Sequence, residues 1–91
     1  MILAGQALEL LTETQRIISY WEANYDQDMH EGTDFQVILG DGAERPLQIK
    51  SSWSGFKKAR ENYPEVPCVV IEPGDPIVTI MANILHVLER K

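Results

Sequence analysis

The chain has 91 residues, 44% of them apolar and 24% charged, which suits one folded domain over 1–91 with a moderate core and excludes a disordered or fibrous chain. Its net charge of −6 argues against a partner held by bulk electrostatics, so any contact with nucleic acid has to be local or metal-assisted. The start lacks a basic, uninterrupted apolar leader, no apolar run approaches the roughly 20 residues of a membrane span, and the single cysteine, Cys68, has no internal partner. These features favour a protein of the reducing cytoplasm, neither exported nor membrane-embedded.

From Ile2 to Trp21 the apolar residues Leu3, Ala7, Leu10, Leu11, Ile17, Ile18 and Trp21 recur at three- and four-residue spacing, with Glu9, Glu13 and Arg16 off that stripe. The period predicts one amphipathic helix of about five turns. Residues 22–31, "EANYDQDMHE", have no period and read as a loop or a short, irregular edge strand.

Phe35, Val37 and Leu39 then alternate with Asp34, Gln36 and Ile38, and after "GDGA" Leu47 and Ile49 alternate with Pro46, Gln48 and Lys50. Two strands joined by a turn follow from this period-2 pattern. Their apolar sets share a face only if the numbers of opposed residues sum to an even value, about 82 to 84, because a one-residue slip turns every side chain over. A two-residue Asp41-Gly42 turn would give an odd sum, so the pattern predicts a three-residue loop, another odd-length loop or a bulge. In that register Asp34 lies opposite Gln48 or Lys50, and the three polar side chains converge on the face away from Phe35 and Ile49.

Ser52 or Ser54 can cap a helix running to about Asn62, with Phe56 and Ala59 inward, Lys57, Lys58 and Arg60 mostly outward, and Tyr63-Pro64 at its close. Cys68 to Ile71 reads as a short strand buried on both faces. Asp75-Pro76 looks like a cap and first-turn proline for a last amphipathic helix carrying Ile77, Ile80, Met81, Ile84, Leu85 and Leu88.

Hydrolysis of a phosphodiester needs oxygen ligands for a hard cation, a water held in line and a positive group to offset charge developing on the phosphate. An aspartate, a second oxygen ligand and a lysine on one strand face supply those elements. Asp34, a turn, and Gln48-x-Lys50 followed by Ser51, Ser52 and a helix resemble the PD-(D/E)XK nuclease superfamily, in a Gln-x-Lys variant. The resemblance implies an α/β fold, a minimal restriction-endonuclease-like αβββαβ core over Ile2 to Ile71 with a C-terminal helix. It also implies Mg²⁺- or Mn²⁺-dependent hydrolysis of DNA, duplex or branched.

Within that resemblance Asp34 and Gln48 hold the metal, and Lys50 positions the water or stabilises the phosphate. "AGQALE" looks like the family's first helix, with Glu9 as its carboxylate; the helical wheel selects Glu13 instead, and motif position is preferred. Gln48 stands where the family usually has an acid, so its amide oxygen can ligate but brings no charge. Ser51, Ser52, Lys57, Lys58 and Arg60 are the candidate DNA contacts. Cutting both strands implies a homodimer or larger assembly, for which the first and last helices and Trp53 are candidate interface elements. The competing reading is a non-catalytic protein- or nucleic-acid-binding module on the same scaffold. Singly, Asp34 reads as a strand-start aspartate and Lys50 as a solvent-facing edge lysine. His30, His86 and the serines lack any spacing that suggests further chemistry.

Overall fold

A computed structural model describes residues 2–23 and 32–89. The chain forms helix α1 (Ile2–Glu13), strands β1 (Ile17–Glu22), β2 (Phe35–Leu39) and β3 (Glu44–Lys50), helix α2 (Trp53–Asn62), strand β4 (Cys68–Val70) and helix α3 (Ile77–Glu89). Residues 24–31, with His30 and Glu31, lie outside the described residues.

The first helix is shorter than its periodicity predicts: it ends at Glu13, and Ile17 to Glu22 form a strand. Gln15 adopts φ 63°. Its N–H donates to Thr12 O at 3.0 Å and the Arg16 N–H donates to Leu11 O at 2.9 Å. This pair of reversed bonds around a left-handed residue is a Schellman stop, normally built on glycine. A glutamine in that role conceals the helix end from a reading that looks for Gly or Pro.

The sheet has the order β1-β2-β3-β4. The first three strands are antiparallel neighbours, and β4 runs parallel to β3. A parallel neighbour cannot be reached through a tight turn, and α2 provides the crossover. In the β2–β3 hairpin Phe35 pairs with Leu47, Gln36 with Pro46, Val37 with Arg45 and Ile38 with Glu44, the even register expected. Gly40, Asp41 and Gly42 form the three-residue connection. The Leu39 N–H donates to Ala43 O at 2.8 Å and the Gly42 N–H to Leu39 O at 2.9 Å. Gly42 takes φ 88°, a value that only glycine adopts without strain.

Alternation assigns the faces. Phe35, Val37, Leu47, Ile49 and Val69 enter one buried cluster with Ala4, Ala7, Leu8 and Leu11 of α1 and Ile80, Ile84 and Leu88 of α3. Each large apolar side chain buried there contributes on the order of 1.5–3 kcal/mol. The α2 helix packs on β3 and β4, and a Cβ added at its Gly55 would lie 3.7 Å from the Lys50 Cβ, so α2 covers the face carrying Lys50. Three layers result, α1 and α3 on one side of the sheet and α2 on the other.

Serine 52 caps α2, its Oγ accepting from the Gly55 N–H at 3.1 Å, and the Tyr63 N–H closes the helix on Ala59 O. Every residue of β4 is buried, as its unbroken apolar run predicts. Asp75 does not cap α3 through its side chain as expected. Its Oδ2 accepts from the Glu72 N–H at 2.9 Å, which ties the preceding turn, where Gly74 has φ 90°.

Candidate functional site

Asp34 immediately precedes β2, where the ladder to β3 loosens. Its N–H donates to Leu47 O at 2.9 Å. Its carboxylate then turns across the strand end, and Oδ2 accepts from the Ile49 N–H at 2.7 Å. Ile49 is the residue between Gln48 and Lys50, so a carboxylate is bonded to the peptide that joins the other two residues of the pattern. Part of this bond is ordinary strand-end capping, the role that a lone aspartate at this position would have.

Gln48 is 5% exposed and its Oε1 is buried without a hydrogen-bond partner. Leaving such an acceptor unsatisfied costs roughly 1–3 kcal/mol, and a native chain usually has a reason to carry the cost. Gln36, two residues beyond Asp34 on the same alternation, is also buried. Period-2 counting from Asp34 would have found Gln36.

Lys50 is half-buried, its stem running beneath the first turn of α2 near Gly55. Cys68, the register partner of Gln48, is buried. Burial pushes its thiol up from the ordinary range, the Asp34 charge adds to that shift, and Lys50 and Arg60 oppose it. The thiol therefore stays protonated at neutral pH and is a poor ligand or nucleophile.

Glu9 has a different neighbour. Its Oε2 accepts from the Tyr20 O–H at 2.8 Å. The Tyr20 ring packs against Phe35 at 6.3 Å, and Phe35 lies on the α1 side of the sheet. That bond raises the Tyr20 hydroxyl above its ordinary value, because ionisation would bring a second negative charge beside Glu9. Glu13 is exposed at the end of α1. Asp34 is thus bonded to the peptide between Gln48 and Lys50, while Glu9 is held by Tyr20 at the β1 end of the sheet.

Ser51, Lys57, Lys58 and Arg60 are exposed on or beside α2. Ser52 is occupied as the cap, and the Arg60 Nη1 donates to Pro64 O at 3.3 Å. A groove of about 750 Å³ runs between α2 and α3, lined by Arg45, Trp53, Phe56, Arg60, Glu65 and His86 with β4 as its floor. A second concavity of about 610 Å³ lies between α1 and α3, on the other side of the sheet from Gln48, and is walled by Leu11, Val78, Met81 and Leu85.

The oxygens of Asp34 and Gln48 are of the type that Mg²⁺ or Mn²⁺ takes, and the partnerless Gln48 Oε1 fits a cation or donor. Among the described residues no three His, Cys, Asp or Glu side chains group as a metal cluster, and of the Asp34, Gln48 and Lys50 pattern Asp34 alone brings a carboxylate. Among the described residues no helix is long and apolar enough to cross a membrane. Comparison with family models, with curated proteins and with solved structures returns no match, so the fold and the Asp34–Gln48–Lys50 cluster are what a functional reading rests on.

Proposed function

We propose that this chain is a metal-dependent nuclease of the PD-(D/E)XK type, on a minimal restriction-endonuclease-like core with a C-terminal helix, that hydrolyses DNA phosphodiesters. The observation that carries the reading is the 2.7 Å bond from the Ile49 N–H to Asp34 Oδ2, with the neighbouring Gln48 Oε1 buried and unpartnered. The helix, three-strand, helix, strand order supports it as the scaffold that the resemblance implies.

Asp34 and Gln48 would hold Mg²⁺ or Mn²⁺, which supplies Lewis acidity toward the phosphate and lowers the pKa of a bound water. Lys50 holds the attacking water in line or donates to the phosphate oxygens, offsetting charge as the water adds to phosphorus and the P–O bond opens. Lys57, Lys58 and Arg60 contact the flanking phosphates, with Ser51 and Ser52 beside them. Glu9, the carboxylate that the resemblance assigns, is bonded to Tyr20 on the α1 side of the sheet, the face opposite Gln48 and Lys50, and stays outside this ligand set. Duplex cleavage calls for a second copy, and Val78, Met81 and Leu85 beside α1 give it an apolar surface.

A second reading, a binding module without catalysis, is favoured by one feature: Gln48 is neutral and the Glu9 carboxylate is engaged by Tyr20. Incubation with supercoiled, linear and branched DNA plus Mg²⁺ or Mn²⁺ separates the two. The nuclease reading expects cleavage that falls by about 100-fold or more in Lys50→Ala and in Asp34→Ala. Cleavage persisting in both variants removes the proposed site, and no cleavage of any substrate by wild type favours the module.

A further inference from the structure

The groove between α2 and α3 bears on which nucleic acid is taken, an inference that rests on the proposed function for the class of ligand. Its floor is β4, whose Cys68, Val69 and Val70 are only 3%, 3% and 8% exposed. An edge strand so covered offers little backbone for a fifth strand, which counts against an extended peptide as occupant.

The walls have another character. Trp53, the first residue of α2, is 64% exposed. It meets Phe56 in a T-shaped contact, ring centroids 5.4 Å apart and planes at 70°, so Phe56 covers at most one indole face. Arg45 and Arg60 line the same groove against one acidic residue, Glu65, in a chain whose net charge is −6. The Arg60 bond to Pro64 O is long, at 3.3 Å, and engages one of the five guanidinium N–H donors. Trp53 also follows Lys50 closely, and the Lys50 stem lies under the turn that Trp53 begins. The groove thus starts beside the turn that covers Lys50, although Asp34, Gln48 and Lys50 do not themselves line it.

We infer that this groove takes an unpaired nucleobase: Trp53 stacks on its face, and Arg60 meets an adjoining phosphate. An aromatic platform beside cations is the arrangement by which proteins hold single strands without reading their sequence. A continuous duplex keeps its base faces stacked and cannot use it. The substrate class is consequently single-stranded, flapped or branched DNA in preference to uninterrupted duplex.

The test reads binding apart from cleavage. In a Trp21→Phe background, which leaves Trp53 as the only tryptophan, fluorescence quenching and oligonucleotide anisotropy are measured in EDTA with a ten-nucleotide oligothymidine, a flapped duplex and a blunt duplex. Single-stranded and flapped DNA are expected to quench Trp53 and to bind more tightly than blunt duplex. Trp53→Ala should weaken the first two by about tenfold and leave the blunt duplex unchanged, with Trp53→Phe retaining most of the affinity. Circular dichroism confirms that both variants fold. Equal affinities in Trp53→Ala and wild type, unquenched Trp53 in a bound complex, or no binding of any DNA while a protein partner quenches Trp53 each overturns the inference. Trp53-dependent binding without Lys50-dependent cleavage retains the groove and rejects the nuclease. Lys50-dependent cleavage that is indifferent to Trp53 does the reverse.

Discussion

The two faces of the sheet do different work. On one, β2, β3 and β4 meet α1 and α3 through Val37, Leu47, Leu8, Ile84 and Leu88, all essentially inaccessible. On the other, α2 packs on β3 and β4, and the rows below it hold Gln36, Gln48, Cys68 and Lys50. The first face is apolar and closed; the second buries amides and leaves an oxygen of Gln48 without a partner. Stability concentrated on one side allows the other to carry groups that a pure core would reject, which is why the unusual chemistry stands back to back with the best packing.

Substituting one residue on each face breaks that comparison most sharply. Leu8→Ala empties a fully buried position and should cost about 2–5 kcal/mol, read as a lower urea midpoint. Gln48→Leu should move stability the other way, by about 1 kcal/mol, because it removes a buried acceptor with no donor, while it abolishes any metal-dependent activity. A destabilised Gln48→Leu would mean that the amide is structurally satisfied, and the contrast between the faces would fail.

How much of this was legible in the sequence depends on whether a residue announced its conformation. The hairpin was readable because Phe35, Val37, Leu47 and Ile49 can share a face only in an even-sum register, and any such register required an odd loop or a bulge. Ser52 and the proline-bounded β4 likewise carry their structure in their types. The end of α1 was not readable. Ile17, Ile18 and Trp21 fall in step with the helical period, and the residue that stops the helix is Gln15. The β-branched and aromatic run Ile17-Ile18-Ser19-Tyr20-Trp21 was the signal that a strand begins there. For the site, alternation implied the convergence of Asp34, Gln48 and Lys50, but no one-dimensional pattern could reveal that Asp34 bonds the Ile49 N–H or that Tyr20 engages Glu9.

The concealed helix stop makes a smaller prediction. Glycine at 15 would relieve a left-handed side-chain conformation that costs about 1–2 kcal/mol, against about 0.5–1 kcal/mol of added chain entropy in the unfolded state. Gln15→Gly should therefore raise the urea midpoint by the equivalent of roughly 0.5–1 kcal/mol. A loss of stability would show that the glutamine side chain makes a compensating contact.

The smallest effect concerns the link between Glu9 and the closed face. The Tyr20 hydroxyl is raised above its ordinary 10.0, chiefly by its bond to Glu9, then by burial and by the charges of Glu9 and Glu22. A raised acid is more easily kept protonated in the folded than in the unfolded chain. The contribution is thus fully present below about pH 10 and is lost as pH rises through the folded value. Tyr20→Phe should have a small effect at pH 8, since the pair is solvent-facing, and should flatten the fall in stability that wild type shows above pH 10. The same variant frees the Glu9 carboxylate. Since Glu9 and Tyr20 lie on the α1 side, away from Gln48 and Lys50, metal-dependent activity should be unchanged in Tyr20→Phe and in Tyr20→Phe/Glu9→Gln. Parallel pH profiles in wild type and Tyr20→Phe would remove the bond from the account, and activity that falls in Tyr20→Phe/Glu9→Gln alone would show that Glu9 reaches the site across the sheet end.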